Sequence, residues 1–296
     1  MELHRGERRQ RQKRRGLAGA GLAGLAVVAA SCGTVNALAH PGTTSARPAA
    51  REAASRPAPA MRSLLVGKSL QGRPITAFER PAAATSGRVT KLMVVGVIHG
   101  DERSGLEVVQ NLRTMPLPPN IDLVVIPELN PDGVAARTHK NADRVDLNRN
   151  FGTSDYAAAG SQKQASGVHN SGPHADSEPE VVAFERFAEL EKPDVTAFYH
   201  QPLDTVDCNE AASPELARIC NGYAQRVTAG GTALETSYNP RPGAATQWLI
   251  QKGLGVSFVV EFANYSGPAP GNGMAPPALA RLHAEALLGS VEAAEA

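Results

Sequence analysis

Between residue 62 and the end of the chain, apolar runs with the spacing of β-strands alternate with segments that have the spacing of helices. This alternation is typical of an α/β fold, in which helices cover a central sheet. Strands are predicted at 63–69, 73–79, 91–98, 122–126, 194–199 and 256–262, and helices at 104–112, 179–190, 213–227 and 276–291. The first two strands flank Leu70-Gln-Gly72, and we expect them to form a hairpin.

The segment 152–176 interrupts the alternation, because it has no apolar period and contains many small polar residues. An irregular segment of that length in a compact domain is more often functional than accidental. We therefore expect a long surface loop at 152–176 that contributes to function.

The first 39 residues have a different pattern, which is typical of an export signal. A basic start is followed by the uncharged segment 16–39, which has an apolar centre and small residues at its end. Arg14-Arg15 also resembles a twin-arginine signal. Cleavage after Ala37-Leu-Ala39, lipidation of Cys32 in a lipoprotein box, and an uncleaved anchor are open alternatives. We expect an exported protein, in the periplasm, the cell envelope or the extracellular space, that contacts a membrane only through the leader or its lipid.

Composition and charge narrow the class of protein. Residues 40–61 are rich in Pro, Ala and Ser and are expected to be a flexible linker, which leaves 62–296 as one domain. Hydrophobic residues make up 42% of the chain, which excludes wholesale disorder. The overall charge of +1 combines +5 in the first fifteen residues with −4 in the rest. The basic charge therefore belongs to the leader, and no nucleic-acid partner is expected.

The cysteines agree with export. Cys208 and Cys220 are the two cysteines that follow the leader. In an oxidising compartment an even pair of this kind can close a short loop by a disulfide. Two separate buried thiols are the alternative, and the sequence leaves both possibilities open.

Polar residues at the ends of two predicted strands indicate a metal site. His99 and Glu102 follow the strand 91–98, and His200 follows the strand 194–199. Ligands of open α/β sheets bind beyond the carboxyl ends of the strands, so we expect these side chains to meet. Imidazole and carboxylate suit Zn²⁺, and a catalytic zinc takes three protein ligands and keeps one position for water. For His200 alone, the alternative is a hydrogen-bonded histidine of the core.

Two further features would complete a hydrolytic site. Glu261 lies near the end of the apolar strand 256–262, where a carboxylate is unfavourable unless it is paired or functional. Apolar surroundings raise the pKa of a carboxyl group, which suits general acid and base catalysis. Asn148 and Arg149 offer an amide and a planar guanidinium, a pair suited to grip a carboxylate. A surface ion pair is the alternative for Arg149.

Taken together, these residues make the chain similar to the zinc carboxypeptidase family. The motifs occur in the family's order: His99-Gly-Asp-Glu102, Asn130-Pro-Asp-Gly133, Asp146-Leu-Asn-Arg-Asn-Phe151, Ser177-Glu-Pro-Glu180, His200 and Glu261. The resemblance covers about residues 62–290, and the ordered set is highly specific. The compact length and the motifs beginning at Asp146 and Ser177 resemble the bacterial murein peptide amidase branch most. Members of that branch cut the bond between the side-chain carboxyl of D-glutamate and diaminopimelate in cell-wall peptides.

The resemblance implies a fold and a reaction. The fold would be a single α/β domain with a central mixed, mostly parallel sheet flanked by helices. One zinc ion per chain would be held by His99, Glu102 and His200. Glu261 would activate the attacking water and then protonate the leaving amine.

The resemblance also implies how a peptide substrate, specifically a cell-wall peptide, would be held by a monomeric enzyme. Asn148 and Arg149 would bind the carboxylate of the released residue. The segment 238–248 would line the pocket for its side chain, with Tyr238 as the family's mobile tyrosine and Thr246 where the family sets side-chain preference. No Asp or Glu occurs in that segment, which argues against a pocket tuned to Lys or Arg.

One position departs from the pattern of the branch. The branch has an Arg that polarises the scissile carbonyl and stabilises the oxyanion, and this chain has His139 there. A nearby Gly of the pattern is replaced by Arg144. His139, Arg137 and Arg144 are the candidates for that role. The departure bears on rate and substrate range more than on the zinc site.

Three other functions fit the same residues. The first is a conventional zinc carboxypeptidase that acts on α-linked peptides. The second is a deacylase of N-acyl amino acids, against which Asn130-Pro-Asp-Gly133 and Ser177-Glu-Pro-Glu180 weigh. The third is a zinc-holding protein that binds wall peptide without cleaving it, which the missing Arg would explain.

Overall fold

The computed structural model describes residues 60–84, 86–157, 170–208, 213–231, 235–237, 241–263, 265 and 273–295. All of them belong to one compact unit, Ser55–Ala296. The leader with Cys32, nearly all of the linker, Tyr238 and part of the loop 152–176 lie outside the described residues. Among the described helices, none combines the length and the apolar character needed to cross a membrane.

The described residues form eight strands, six α-helices and a single 3₁₀ turn at Leu147–Arg149. The strands are β1 (Arg62–Lys68), β2 (Pro74–Arg80), β3 (Thr90–Val97), β4 (Ile121–Glu128), β5 (Val195–His200), β6 (Leu203–Asp207), β7 (Glu235–Ser237) and β8 (Val256–Ala263). The helices are α1 (Ser104–Thr114), α2 (Pro131–Ala136), α3 (Pro179–Glu191), α4 (Pro214–Ala229), α5 (Ala245–Gln251) and α6 (Pro277–Glu295). All ten predicted elements are confirmed, with ends that differ by a few residues.

The strands form one sheet in the order β1-β2-β4-β3-β5-β8-β6-β7. The four central strands, β4, β3, β5 and β8, run parallel to one another. The β1–β2 hairpin adds two antiparallel strands at one edge, and β6 is antiparallel to β8 near the other. The predicted α/β fold with a mixed sheet is confirmed. The continuous apolar runs of β3 and β5 reflect burial on both faces of the sheet.

Four short elements were not predicted: α2, α5, β6 and β7. Asn130-Pro-Asp-Gly133 begins α2, and the Asn130 side chain caps this helix by accepting a hydrogen bond from the backbone N–H of Gly133 at 2.8 Å. β6 has five residues, of which only Val206 is buried, and β7 has three residues, so neither carries a long apolar run. α5 is shorter than the window of about 11 residues in which a helical period becomes visible.

Helices cover both faces of the sheet. Leu92 and Val94 of β3 belong to a core cluster shared with α1, α4 and α6, whereas Met93 and Val95 belong to a second cluster shared with α3 and α5. At Gly105 in α1, an added Cβ would lie 2.0 Å from the carbonyl oxygen of Gly96. Glycine therefore allows α1 to contact β3 closely, which fixes the turn between them.

Cys208, directly after β6, and Cys220 in α4 form a disulfide. Both cysteines are buried. Of the two arrangements that the sequence left open, the structure has the bridge rather than separate thiols. The bridge ties the edge of the sheet at β6 to α4.

A buried histidine in a hydrogen-bond network should make the folded protein less stable in acid. Tyr223 Oη lies 2.6 Å from His283 Nδ1 and 3.4 Å from Tyr199 Oη. Burial lowers the pKa of His283 to about 3, so the folded state keeps this imidazole neutral. The unfolded chain takes up the proton near the usual histidine pKa of about 6.5. The free energy of unfolding should therefore decrease as the pH falls from about 6.5 towards 3.

Replacing His283 with Gln is expected to weaken that pH dependence. Urea unfolding followed between about pH 7 and pH 4 should give a slope smaller by about one proton than in the wild type. His174→Gln, which changes an exposed histidine, is the matched control and should keep the wild-type slope. Equal slopes for wild type and His283→Gln would show that His283 does not take up a proton on unfolding in this pH range.

Candidate functional site

Three polar side chains meet where two parallel strands end. His99 and Glu102 lie in the tight turn between β3 and α1, where the backbone N–H of Glu102 donates to the carbonyl of His99 at 3.1 Å. His200 is the last residue of β5, the parallel neighbour of β3. Neighbouring parallel strands end at the same edge of a sheet, so the topology brings these distant residues together.

The distances between the three side chains match a small tetrahedral cation. His99 Nδ1 lies 3.0 Å from Glu102 Oε2 and 3.1 Å from His200 Nδ1, and His200 Nδ1 lies 2.9 Å from Glu102 Oε2. Ligands about 2.0–2.2 Å from a tetrahedral zinc are themselves about 3.3–3.6 Å apart, only slightly more than the distances between these three donors. All three side chains are buried. The imidazole planes of His99 and His200 are inclined by 69°, so their lone pairs can converge on one point.

Asp146 fixes the orientation of His99, and the sequence analysis missed this role. Asp146 Oδ1 lies 3.0 Å from His99 Nε2, and its side chain also accepts a hydrogen bond from the backbone N–H of Asn148 at 3.0 Å. A histidine that donates Nε2–H to a carboxylate has the lone pair of Nδ1 available for a metal. Asp146 was visible in the sequence only as part of a motif.

The electrostatics of the trio favour bound positive charge. Burial acts to lower the pKa of His99, but Glu102 and Asp146 outweigh it and raise the pKa to about 10. Burial acts to raise the pKa of Glu102, but His99 and His200 hold it well below its usual range. Two buried carboxylates beside two imidazoles thus attract a cation. The nitrogen and oxygen donors are those that zinc prefers, so the residues fit this ion.

A third histidine, His139, lies against the trio. His99, Glu102 and His139 can each place one ligand atom within 4.8 Å of the others. However, the His139 ring stacks on the His99 ring, with centroids 3.6 Å apart and planes inclined by 25°. An imidazole binds a metal in the plane of its ring, so two stacked rings cannot both direct lone pairs at one ion. The geometry therefore favours His200 over His139 as the third candidate ligand.

Glu261 faces the same space from the next strand. It pairs with His200 in the β5–β8 register, and its Oε2 is a buried atom without a hydrogen-bond partner among the described residues. Burial raises the pKa of Glu261, and His200 opposes this only in part. An apolar strand that ends in a carboxylate predicts this direction of shift. A carboxylate in such a position can exchange a proton with a bound molecule.

The trio opens into a cavity of about 480 Å³ that Asn148, Arg149 and Thr246 also line. Arg149 is 7% exposed, and its Nε has no hydrogen-bond partner within the described part of the chain. Asn148 Oδ1 accepts a hydrogen bond from the backbone N–H of Ala245 at 3.0 Å. Gly243 has φ +70°, and an added Cβ would lie 2.1 Å from the carbonyl oxygen of Arg149. The segment that carries Thr246 is thereby held against Asn148 and Arg149.

The other residues singled out in the sequence fall in different places. Of the three candidates for the missing Arg, His139 lines the cavity, Arg144 lines a neighbouring cavity, and Arg137 lines neither. His139 Nδ1 lies 3.3 Å from Asp101 Oδ1 and 3.4 Å from Glu102 Oε1. Tyr238 lies outside the described residues.

An acidic residue lines the cavity, although the segment 238–248 contains none. Asp207 contributes a carboxylate from β6, and Arg241 contributes a second guanidinium. The sequence argument against a cationic substrate side chain considered only 238–248 and is therefore incomplete. β6 was not predicted, so no signal placed Asp207 beside the other residues.

Ser177-Glu-Pro-Glu180 has a structural role beside the site. Asn141 donates a hydrogen bond from Nδ2 to Glu178 Oε2 at 2.6 Å, and Glu180 Oε1 accepts one from the backbone N–H of Leu70 at 3.0 Å. Both glutamates are buried. These bonds connect the start of α3 to the turn between β1 and β2 and to the segment that follows His139.

The fold and the site define a hydrolytic metallopeptidase. Comparison with known proteins indicates the same class of protein. The model of the family described as zinc carboxypeptidase matches residues 49–284. The chain belongs to this family. His99, Glu102, His200 and Glu261 all lie within the matched residues.

Individual relatives are named as murein peptide amidases. Murein peptide amidase A of Vibrio campbellii (strain ATCC BAA-1116) is 31% identical over 196 residues, which are 64% of this chain and 74% of that protein. Murein peptide amidase A of Escherichia coli (strain K12) is 32% identical over 149 residues, 48% of this chain and 60% of that protein.

Solved structures share the fold. Murein-tripeptide amidase MpaA from Escherichia coli O157 is 24% identical with a TM-score of 0.56, over 84% of this chain and 97% of that one. Carboxypeptidase A from Helicoverpa armigera is 18% identical with a TM-score of 0.61, over 79% of this chain and 67% of that one. At these identities the likeness establishes the fold alone.

Proposed function

We propose that the protein is an exported zinc-dependent peptidase that hydrolyses the bond between D-glutamate and diaminopimelate in murein peptides. One observation carries the proposal: the donor atoms of His99, Glu102 and His200 converge within 3.1 Å beside Glu261. The names of the relatives support the choice of substrate.

The chain supplies the groups that such a hydrolysis needs. Zinc held by His99, Glu102 and His200 would polarise the scissile carbonyl and make water a stronger nucleophile. Glu261 takes the proton from the attacking water and returns it to the leaving amine, which its raised pKa suits. Asp146 keeps His99 in the tautomer and orientation required of a ligand.

The substrate is held by other groups that line the cavity. Arg149 and Asn148 bind the carboxylate of the residue that is released, and the unpartnered Nε of Arg149 supports this role. His139 donates to the carbonyl oxygen of the scissile bond in place of the family's Arg. Its place on the cavity wall favours it over Arg137 and Arg144.

Export is part of the proposal. The basic and apolar leader suggests it, and the bridge between Cys208 and Cys220 supports an oxidising compartment, where disulfides persist. The enzyme then reaches its substrate in the cell envelope.

Digestion of defined peptides tests the proposed reaction. Zinc-loaded protein is expected to release diaminopimelate from the wall tripeptide, and a chelator should stop the release. The preference over α-linked peptides and N-acyl amino acids should be at least about 100-fold in kcat/KM, because the cavity must accept a γ-linkage. Mass spectrometry identifies the products.

Other outcomes select other functions. Faster cleavage of ordinary peptide C-termini would make the protein a conventional carboxypeptidase, and turnover of acyl-amino acids alone would make it a deacylase. Stoichiometric binding of wall peptide without any product would leave only a binding function.

A further inference from the structure

One buried residue beside the trio has no role in the proposed reaction. Gln201 follows His200 at the end of β5, is buried and lines the cavity. Its backbone N–H donates a hydrogen bond to Glu102 Oε2 at 3.2 Å. This oxygen is also the one that lies close to Nδ1 of His99 and Nδ1 of His200. The backbone of Gln201 thus contacts the carboxylate oxygen that faces both histidines.

The side chain of Gln201 bonds to backbone groups from two other parts of the chain. Its Oε1 accepts a hydrogen bond from the backbone N–H of Ser104 at 3.0 Å, and its Nε2 donates to the carbonyl of Gly273 at 3.0 Å. Ser104 is the first residue of α1, and the first four N–H groups of a helix have no partner inside it. Arg103, at the N-cap position, provides no side-chain hydrogen bond. Gln201 therefore caps α1 from a different segment.

These bonds span a gap that the sheet leaves open. The ladder between β3 and β5 ends at the pair Val95 and Phe198. All three candidate ligands lie beyond that pair, so the ladder does not fix the distance between the two segments that carry them. The bonds from Gln201 to Glu102 and to Ser104 connect the end of β5 with the turn before α1. They therefore restrain the two ligand segments relative to each other.

We propose that Gln201 is a positioning residue of the metal site, whose side chain holds Glu102 and His200 at the separation that zinc requires. The inference rests on the proposed function, because it takes zinc as the bound ion. A carboxylate oxygen has two lone pairs, so Glu102 Oε2 can keep the bond from Gln201 and still bind a cation. Buried groups that hold metal ligands in place typically contribute about 10- to 100-fold to metal affinity.

Replacing Gln201 with Met tests this role, because the Met side chain has a similar length and can form neither hydrogen bond. Gln201→Met is expected to lower the zinc affinity about 10- to 100-fold, measured by competition with a chromogenic chelator. In the Co²⁺-loaded variant the visible absorption bands should differ from those of the wild type, since they report the arrangement of ligands around the ion. Neither measurement requires turnover.

Two control variants separate positioning from stability. Ser104 Oγ accepts a hydrogen bond from the backbone N–H of Ala275 at 2.9 Å, and both residues are buried. Ser104→Ala removes this bond at the same place but leaves both bonds of the Gln201 side chain. It should lower the stability to urea and keep the zinc affinity and the cobalt spectrum of the wild type. Gln225→Met makes the same change as Gln201→Met at an exposed position on α4 and should match the wild type throughout.

The outcomes distinguish this inference from the proposed function. If the wild type binds no zinc, the proposed function itself is wrong. If the wild type binds zinc but Gln201→Met has the same affinity and cobalt spectrum, only the positioning role is overturned. Equal losses of zinc affinity in Gln201→Met and Ser104→Ala would also overturn it, because general loss of stability would then explain both.

Hydrogen exchange of the wild type decides if Gln201→Met does not fold. The backbone amides of Ser104 and Gln201 should exchange slowly in the metal-free protein, because their bonds exist before zinc binds. Fast exchange that becomes slow only after zinc is added would show that the metal, and not Gln201, orders the two segments.

Discussion

Replacing Glu261 with Gln is expected to lower kcat by about 10²- to 10⁴-fold, which is the usual contribution of general acid and base catalysis. The amide is nearly isosteric with the carboxylate, but it cannot accept the proton of the attacking water. Glu261 is not one of the three converging donors, so the variant should bind zinc with the wild-type stoichiometry. Single-turnover release of diaminopimelate, with zinc content measured on the same sample, checks both expectations.

A matched substitution makes the result specific. Glu292→Gln removes the same charge from an exposed position on α6 and should leave kcat unchanged. If Glu261→Gln retains wild-type turnover, Glu261 is not the proton acceptor. If it loses zinc together with activity, Glu261 belongs to the metal site instead.

Replacing His200 with Ala is expected to lower the zinc affinity by about 10³-fold, since one of three protein ligands is removed from a site worth about 10 kcal/mol or more. His139→Ala should keep the stoichiometry of one zinc per chain, because the ring of His139 is stacked on that of His99 and cannot point at the same ion. Competition with a chromogenic chelator measures both affinities.

The pH dependence of zinc binding gives an independent check. Without metal, the carboxylates raise the pKa of His99 to about 10, so zinc must displace a proton at neutral pH. The apparent affinity should therefore rise as the pH rises from about 6 to 9.

Loss of zinc from His139→Ala rather than from His200→Ala would show that the trio has been assigned to the wrong histidine.

Both predictions depend on a site whose side chains come from separate motifs and meet only in the folded protein. His99 and His200 are 101 positions apart, yet their Nδ1 atoms are 3.1 Å apart. The parallel pairing of β3 and β5 produces this distance, and Gly96 with Gly105 lets α1 pack closely enough to hold the turn at Glu102. The metal site is thus a consequence of strand order.

Long elements and the residues at their ends could be predicted from the sequence. β3, β5 and β8 are apolar runs, because strands at the centre of a parallel sheet are buried on both faces. Polar residues that end such runs are conspicuous, which is why His99, His200 and Glu261 could be named as candidates. The family resemblance then implied a role for each.

Short elements and contacts across the sheet required the structure. β6, β7 and α5 carry too few residues for a periodic pattern, so Asp207 could not be placed in the cavity. The hydrogen bond between Asp146 and His99, and the stack of His139 on His99, join segments whose separation along the chain carries no information about their distance.

By itself, the sequence determined the fold class, the long strands and helices, and the set of side chains able to bind a metal and move a proton. Hydrophobic patterning and residue chemistry are local properties, and they can be read one segment at a time. Which carboxylate orients His99, how the ring of His139 lies against it and which charges line the cavity were decided only by the tertiary structure. Those choices depend on distances and ring orientations between segments, and these are set by strand order, register and packing together.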